Sequence, residues 1–403
     1  MKSNTPNWLV PVTAILILQT ICSFLSRLIP IVAPVMSEEF GWSGSSIGYL
    51  TSSHALGALV MLVAGSSLIK LIGGTRLLQH ALLWGAAAMG LFLFPSLGVA
   101  LAACFIMGLS TGAATPAGSE VLQRFSPPGM RNLMFSIKQA GVPLGGMIAG
   151  PLIPIVIVLA GWRFAIFMCA LIVVLPTMLT WKLSAVVDMK PAAELHRASP
   201  LFTLQSLRTL SVPLASLGRN RGLLKIAIVG SLFAVAQNSW FTFTVIYLVD
   251  GLGFSLTQAG VVFAIMQVGA VLGRIVLGWL SDLLRSATVT LSITALLSAV
   301  TTGLLGLTSP AWPLWSIVVL AFLAGASAAS WNGVQMAEVA RRSPPDLIAE
   351  TASGSTILVT LVNIAAPAIF ATAVAATGRY DLAFLTSGAC SLLVLVFLPR
   401  DKR

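Results

Sequence analysis

Apolar residues run through this chain in long blocks separated by short polar joints. A helix needs roughly 20 such residues to cross the hydrocarbon core of a bilayer. The pattern predicts twelve spans, at about 8–36, 44–70, 77–97, 98–123, 133–159 and 163–183, then 222–249, 257–281, 286–307, 311–339, 349–374 and 380–399. The longest polar stretch, 184–221, falls between the sixth and the seventh and carries Asp188, Lys190, Glu194, Arg197, Arg208, Arg219 and Arg221. The predicted organisation is a six-span bundle at 1–183, a linker at 184–221 and a second six-span bundle at 222–403.

Composition removes the soluble alternative. With 57% hydrophobic and 9% charged residues, a water-soluble domain would expose a mostly apolar surface. The first run begins near Trp8 with Lys2 ahead of it and has no small-residue cleavage site, so it reads as a retained span and not as a removed signal peptide. The four cysteines, Cys22, Cys104, Cys169 and Cys390, all fall inside apolar runs and predict neither a disulfide framework nor a metal site.

A net charge of +11 would suggest nucleic acid in a soluble protein, but its distribution points elsewhere. Lysines and arginines collect at alternate joints, for example Lys70, Arg76, Arg124, Lys182, Arg285, Arg341 and Arg342, whereas the opposite joints carry Arg163 and Arg379. The positive-inside rule then places both termini in the cytoplasm, in a bacterial inner membrane, with no nucleic-acid partner.

The two predicted bundles repeat one another. Adding 217 to a residue number carries Gly108 to Gly325, Ser110 to Ser327, Arg124 to Arg341, Ser126-Pro127-Pro128 to Ser343-Pro344-Pro345, Gly161 to Gly378 and Phe167 to Phe384. An even number of spans per repeat gives parallel halves related by an axis along the membrane normal. That is a transporter arrangement, with the site expected between the halves near mid-membrane.

On these motifs the sequence resembles the major facilitator superfamily over essentially its whole length. Gly278-Trp279-Leu280-Ser281-Asp282 is similar to that family's G-x-L-x-D signature after the eighth span, and Gly161-Trp162-Arg163 and Lys138-Gln139-Ala140-Gly141-Val142-Pro143-Leu144-Gly145-Gly146 are also family-like. After the second span Gly73 and Arg76 are kept, but Lys70 stands where an acidic residue is expected, which puts the usual carboxylate-to-helix lock there in doubt. The resemblance implies an all-α membrane fold of twelve helices in two pseudo-symmetric six-helix bundles, with substrate held by spans 1, 4, 7 and 10. It also brings spans 5 and 8 together, so that Gly141 and Gly145 facing Gly269 and Gly273 would form a thin, slidable seam.

Within the spans the sequence places three cations, Arg27, Arg274 and Lys138, the last within two turns of the entry to the fifth span and so expected to snorkel to the interface, and the imidazole of His54, while every acidic residue lies near a span end or in a joint. A charge in hydrocarbon costs several kcal/mol unless it faces a cavity, a partner or a ligand. An anionic substrate would supply the missing counter-charge. Ser26-Arg27 resembles the Asp-Arg motif of organic-anion symporters with the Asp replaced, and Arg274, Gly278 and Asp282 resemble the eighth span of monocarboxylate transporters and of the oxalate/formate exchanger, whose arginine binds a carboxylate. Arg27 could instead pack between helices, and Arg274 could instead serve the cytoplasmic signature. Two arginines from opposite halves could clamp one carboxylate through paired hydrogen bonds.

Ser110, Thr111, Gln237, Asn238, Trp240, Trp331, Asn332, Gln335 and Asn363 are the uncharged candidates for the rest of the site, each with helix packing as the alternative. His54 is either a titrating group or a hydrogen-bonded core histidine. Glu120 with Arg124, and Glu338 with Arg341 or Arg342, have the spacing of helix-surface pairs and suit a gate better than a ligand.

The expected function is transport of a small organic anion, a mono- or dicarboxylate, by alternating access, in a monomer with a proton as the possible coupling ion. The alternatives are an exporter of drug-like amphipathic compounds and a membrane sensor that has lost transport. No metal-spaced ligand set, nucleophile elbow or phosphate loop is present in the sequence, so neither an enzyme nor a cofactor is expected.

Overall fold

The computed structural model describes residues 8–127, 131–188, 204–344 and 347–399. Lys2, Lys190, Arg197, Arg400, Lys402 and Arg403, and the ends of the Pro-Pro repeat at Pro128 and Pro345, lie outside the described residues. The chain is helical throughout what is described, with no strand. Lipid offers no hydrogen bonds, so each span must satisfy its own backbone, and helices do so residue by residue.

The first half comprises α1 (Leu9–Phe40), α2 (Ser46–Ile72), α3 (Gly74–Met89), α4 (Leu97–Gly112), α5 (Ala114–Phe125) and α6 (Arg131–Leu179), followed by the short α7 (Leu183–Val187). The second comprises α8 (Leu204–Leu217), α9 (Arg221–Ile246), α10 (Leu256–Leu283), α11 (Ala287–Gly306), α12 (Leu314–Ala328), α13 (Asn332–Arg342), α14 (Ile348–Thr377) and α15 (Tyr380–Phe397). Among the described residues eleven stretches are long and apolar enough to cross a membrane, and one of them, Ile137–Leu179, has 43 residues. At 1.5 Å per residue that is about twice a bilayer's core. Gly161, at φ 82°, breaks it into the fifth and sixth spans and gives twelve.

Spans 4 and 10 are each interrupted, at Ala113 and at Ala329–Trp331, so α4 with α5 and α12 with α13 each make one span. The linker, predicted as simply polar, contains α8, and Gly354 on α14 lets the backbone of Pro213 lie against it. The chain clusters into two compact units: one joins the residues up to Ile29 with Ser53–Leu207, the other joins Pro30–Ser52 with the residues from Arg208 onward. The outer ends of α1 and α2 therefore belong to the second unit, where Gly48 fits against Pro367, Ala371 and Phe243.

The structure extends the repeat. All six described residues with positive φ fall into three pairs: Gly41 (66°) with Gly253 (73°), Gly73 (93°) with Arg285 (49°), and Gly161 (82°) with Gly378 (67°). The first two pairs differ by 212 positions and the third by 217, because the connection at 307–313 is longer than its counterpart at 94–96. A left-handed residue is costly for anything but glycine, so the three recurrences locate equivalent joints.

The same two offsets relate the tightest crossings. A methyl group on Gly57 would overlap the Phe105 carbonyl oxygen and one on Gly108 the His54 carbonyl oxygen. In the second unit Gly269 stands in the same way against Phe322 and Gly325 against Met266. Helices gain no hydrophobic drive from one another in lipid, so such backbone-to-backbone approach is what holds them.

Each glycine of the expected seam has close neighbours within its own unit. Gly141 and Gly145 are occupied against Gln19, Thr20, Ser23 and Phe24 of α1, and Gly269 and Gly273 against Phe322, Ala326 and Ser330. These glycines allow tight packing inside each unit. Replacing Gly108 or Gly325 by alanine should destabilise the detergent-purified protein by about 1–3 kcal/mol. Gly333→Ala, where an added methyl group meets nothing within 4 Å, should be neutral or stabilising; thermal unfolding of the three variants checks both outcomes.

Candidate functional site

In the first unit the crossing of α2 and α4 fixes His54. Its carbonyl lies under Gly108, and its Nε2 is 3.1 Å from the Thr111 hydroxyl oxygen, which also lies 3.2 Å from the Gly108 carbonyl. Arg27, half-exposed near the middle of α1, is within electrostatic range of that ring. Behind it the Ser23 hydroxyl donates to the Val142 carbonyl at 2.5 Å, tying α1 to the fifth span. Three of the predicted residues, Arg27, His54 and Thr111, thus form one cluster within one bundle.

Lys138 belongs to the same bundle. It is 4% exposed, and its Cε and Nζ lie against Gly118, where an added methyl group would come within 2.5 and 2.9 Å of them. It points inward between helices and does not snorkel to an interface, the position expected of a lysine two turns from a span end.

In the second unit Gly273 seats α10 on the interruption of span 10. Arg274 therefore reaches the Ala329 carbonyl, with Nη2 at 3.5 Å. This carbonyl is at the end of α12, where unpaired C=O groups carry partial negative charge. Ser330 stitches the break, its hydroxyl within 2.7 Å of the Gly325 carbonyl and 3.1 Å of the Ala270 carbonyl. Asn332 follows, half-exposed, with its Oδ1 buried and without a protein donor. Nearby in this unit Asn238 donates to Asn363 Oδ1 at 2.8 Å and to the Ala234 carbonyl at 2.7 Å, joining α9 to α14, while Gln237 is half-exposed beside it.

Four of the predicted contact residues are buried between helices. Trp240, 1% exposed, donates from Nε1 to Thr302 at 3.0 Å. Trp331, also 1% exposed, stacks on Phe233 with ring centroids 5.6 Å apart. Gln335 donates to the Ile226 carbonyl at 3.1 Å and to Ser355 at 2.9 Å. Ser110 is fully buried where Gly85 makes room for it. Trp240 and Gln335 bridge helices through these bonds, while Trp331 Nε1 and Ser110 Oγ are buried without a hydrogen-bond partner among the described residues. A membrane helix is apolar on every face, so the sequence carries no period showing which side of it meets protein.

The predicted gate residues divide. The buried Glu338 takes both guanidiniums, with Arg341 Nη2 at 2.7 Å from Oε1 and Arg342 Nε on the same oxygen. Asp282 is exposed at the end of α10. Glu120 lies against Gly74 at the start of α3, and Arg124 donates to the Val187 carbonyl at 3.2 Å.

Sequence reasoning missed Asp188. Its two carboxylate oxygens accept the backbone N–H groups of Thr75 (3.0 Å) and Arg76 (2.8 Å), at the N-terminus of α3. A methyl group on Gly73 would collide with this carboxyl, which is a second reason for glycine there. The departure at Lys70 is thus met by an acid from beyond the sixth span, and the first acidic residue after that span was the signal.

The comparisons with known proteins agree with this frame. The sequence profile of the Major Facilitator Superfamily matches residues 15–367. The chain belongs to the Major Facilitator Superfamily. It is a multi-pass membrane protein of a transporter family, and not an enzyme. It is similar to a probable sulfoacetate transporter, SauU, of Cupriavidus necator, at 23% identity over 94% of this chain and 90% of the other. A hexuronate transporter of Bacillus subtilis is 24% identical over 98% and 94% of the two chains. A 4-hydroxybenzoate transporter, PcaK, of Pseudomonas aeruginosa is 24% identical over 62% and 61%. Among solved structures, the nucleoside transporter NupG superposes with a TM-score of 0.77 at 14% identity, covering 96% of this chain and 98% of that one. A bacterial homologue of the lysosomal transporter Spinster gives 0.73 at 16%, covering 98% and 95%.

In this superfamily member the Asp188 cap is open to a direct test. Asp188→Ala removes the acceptor for two N–H groups at a helix start and should cost about 1 kcal/mol. Thermal unfolding of the purified variant beside Gly333→Ala, where an added methyl group meets nothing within 4 Å, measures it.

Proposed function

We propose that this chain carries a small organic anion, a mono- or dicarboxylate, across a bacterial inner membrane by alternating access. The observation that carries the reading is the sign of the deep charges. Among the described residues, the charged groups about two turns or more from every helix end and break are Arg27, Lys138 and Arg274, all cations, while each carboxylate lies closer to an end. A membrane interior with this sign attracts anions and repels cations, and the field is strong because the surroundings are poorly polarisable.

Arg27 in the first bundle and Arg274 in the second are the proposed carboxylate contacts, with His54, Thr111, Asn332 and the Asn238–Asn363 pair as polar company. A guanidinium meets a carboxylate through two parallel hydrogen bonds, which suits an anion better than any single amide does. The relatives named for sulfoacetate, hexuronate and 4-hydroxybenzoate support an organic anion, since each of those compounds carries an acid group. Residues 1–183 and 222–403 are the proposed moving bodies, in a monomer, with both termini in the cytoplasm by the charge bias. Exchange, facilitated diffusion and a proton carried through His54 or on the substrate are the coupling modes consistent with the absence of a deep carboxylate among the described residues. The reading as an exporter of amphipathic compounds is weakened because Trp240 and Trp331, which would have walled such a site, are buried.

Sulfoacetate, a hexuronate, 4-hydroxybenzoate, oxalate and lactate form the screen, read by thermal shift and by uptake into proteoliposomes. An anion present at about a hundred times its Kd should stabilise the protein by about 2.7 kcal/mol. Arg27→Gln and Arg274→Gln should each weaken that response about tenfold or more, the scale of losing hydrogen bonds to a charged group. Full anion response in both variants would show that the site lies elsewhere.

A further inference from the structure

At one end of the first unit α3 and the end of α6 enclose an open recess of about 600 Å³, lined by Arg76, His80, Trp181, Lys182 and Ser184. We propose that this recess binds the headgroup of an anionic phospholipid, its phosphate held by Arg76 and Lys182, with His80 and Trp181 lining the recess. It is separate from the deep cluster of Arg27, His54 and Thr111 and plays no part in the transport reading.

The walls are built and not incidental. Gln79, fully buried, donates to the Thr180 carbonyl at 2.7 Å and so pins α3 to the end of α6. The Ser184 hydroxyl donates to the Trp181 carbonyl at 2.7 Å and holds the turn that carries Trp181 and Lys182. His80 lies against Trp181 with ring centroids 5.1 Å apart, and its Nδ1 is 2.7 Å from the Arg76 carbonyl. With Nδ1–H donated to that carbonyl, Nε2 is an acceptor in the neutral ring, so His80 shapes the recess and the two cations supply the donors. Among the described residues no ion pair engages Arg76 or Lys182: Asp188 is spent on the backbone N–H groups of Thr75 and Arg76. Two exposed cations beside an imidazole make a site for a compact anion with several acceptor oxygens, which is the chemistry of a phosphate.

What makes the phosphate a lipid's is the surface next to the recess. Leu175 and Leu179 on the last turns of α6 are 57% and 82% exposed, Trp181 just after them is 37% exposed, and the exposed Lys182 follows. An apolar stripe, then an exposed tryptophan, then a lysine is the order in which a helix leaves a bilayer. Acyl chains would lie on the stripe while the headgroup enters the recess, and basic pockets at helix ends recognise acidic headgroups in this way.

The test uses the full-length purified protein in detergent, with phosphatidylglycerol, phosphatidylcholine and inorganic phosphate as probes and native mass spectrometry plus thermal shift as readouts. Phosphatidylglycerol should bind in preference to phosphatidylcholine. Each cation removed, in Arg76→Gln or Lys182→Gln, should weaken it about fivefold, whereas the charge-keeping Arg76→Lys/Lys182→Arg pair should retain it. Both Gln changes fall on exposed side chains, and the charge-keeping pair shows whether the fold tolerates substitution there. Unchanged phosphatidylglycerol binding in the Arg76→Gln/Lys182→Gln double variant would overturn the proposal. So would equal stabilisation by inorganic phosphate, which would make the recess a free-anion site.

Discussion

Two pairs of backbones pressed together through glycine govern this molecule. Gly57 and Gly108 bring α2 onto α4, and Gly269 and Gly325 bring α10 onto α12, each glycine lying under a carbonyl oxygen of the other helix. In a bilayer the usual reason for helices to associate is missing, because lipid tails are as apolar as leucine. Close van der Waals approach then decides which helices pair and in what rotation. The rotation has chemical consequences. It puts the His54 ring beside Thr111 in one unit and, one turn along from Gly269, it brings Arg274 to the end of α12 in the other.

The two copies share this frame but differ in what they hang on it. By the offset of 212, His54 corresponds to Met266, Arg27 to Ser239 and Leu62 to Arg274; by 217, Ala113 corresponds to Ser330. The glycine crossings recur, whereas Arg27, His54 and Arg274 do not. One exchange shows how packing tolerates the difference: Lys138 lies on Gly118 in the first unit, and at the equivalent places Ser355 is bonded by Gln335. Large and small have changed sides while the pair still fills the gap, as conserved total volume requires. Arg27, His54 and Arg274 have no such partner exchange, which fits residues kept for something other than the frame.

Span existence and the repeat were legible in the sequence because both rest on quantities a linear pattern carries: run length, and recurrence of glycines and charges at a fixed offset. The interruption of span 4 was legible in Pro116, which cannot donate to the Gly112 carbonyl four residues back, whereas that of span 10 was not, since Ala329 is an ordinary helix former and no proline follows it in α13. Nor was the burial of Trp240, Trp331, Gln335 and Ser110, because polar residues in a membrane helix look alike whether they face a partner helix or a cavity. Asp188 was misjudged for another reason. Its partners, Thr75 and Arg76, are more than 110 residues away, and a helix start advertises its need for an acceptor without naming the donor of it.

The contact of Arg274 with the Ala329 carbonyl bears on how a buried cation can be kept ready. At 3.5 Å it sits at the outer limit of a hydrogen bond, and the acceptor is a neutral carbonyl helped by the partial charge at a helix end. That is enough to orient a guanidinium that would otherwise be costly in this setting. It is too weak to compete with a carboxylate, whose two charge-assisted bonds are each shorter and roughly twice as strong as a neutral one. An arginine locked by a protein carboxylate would have to lose that partner before binding anything. On the proposed function, Arg274 would have only to let go of this one long contact among the described residues, and the interruption of span 10 would serve it as a placeholder.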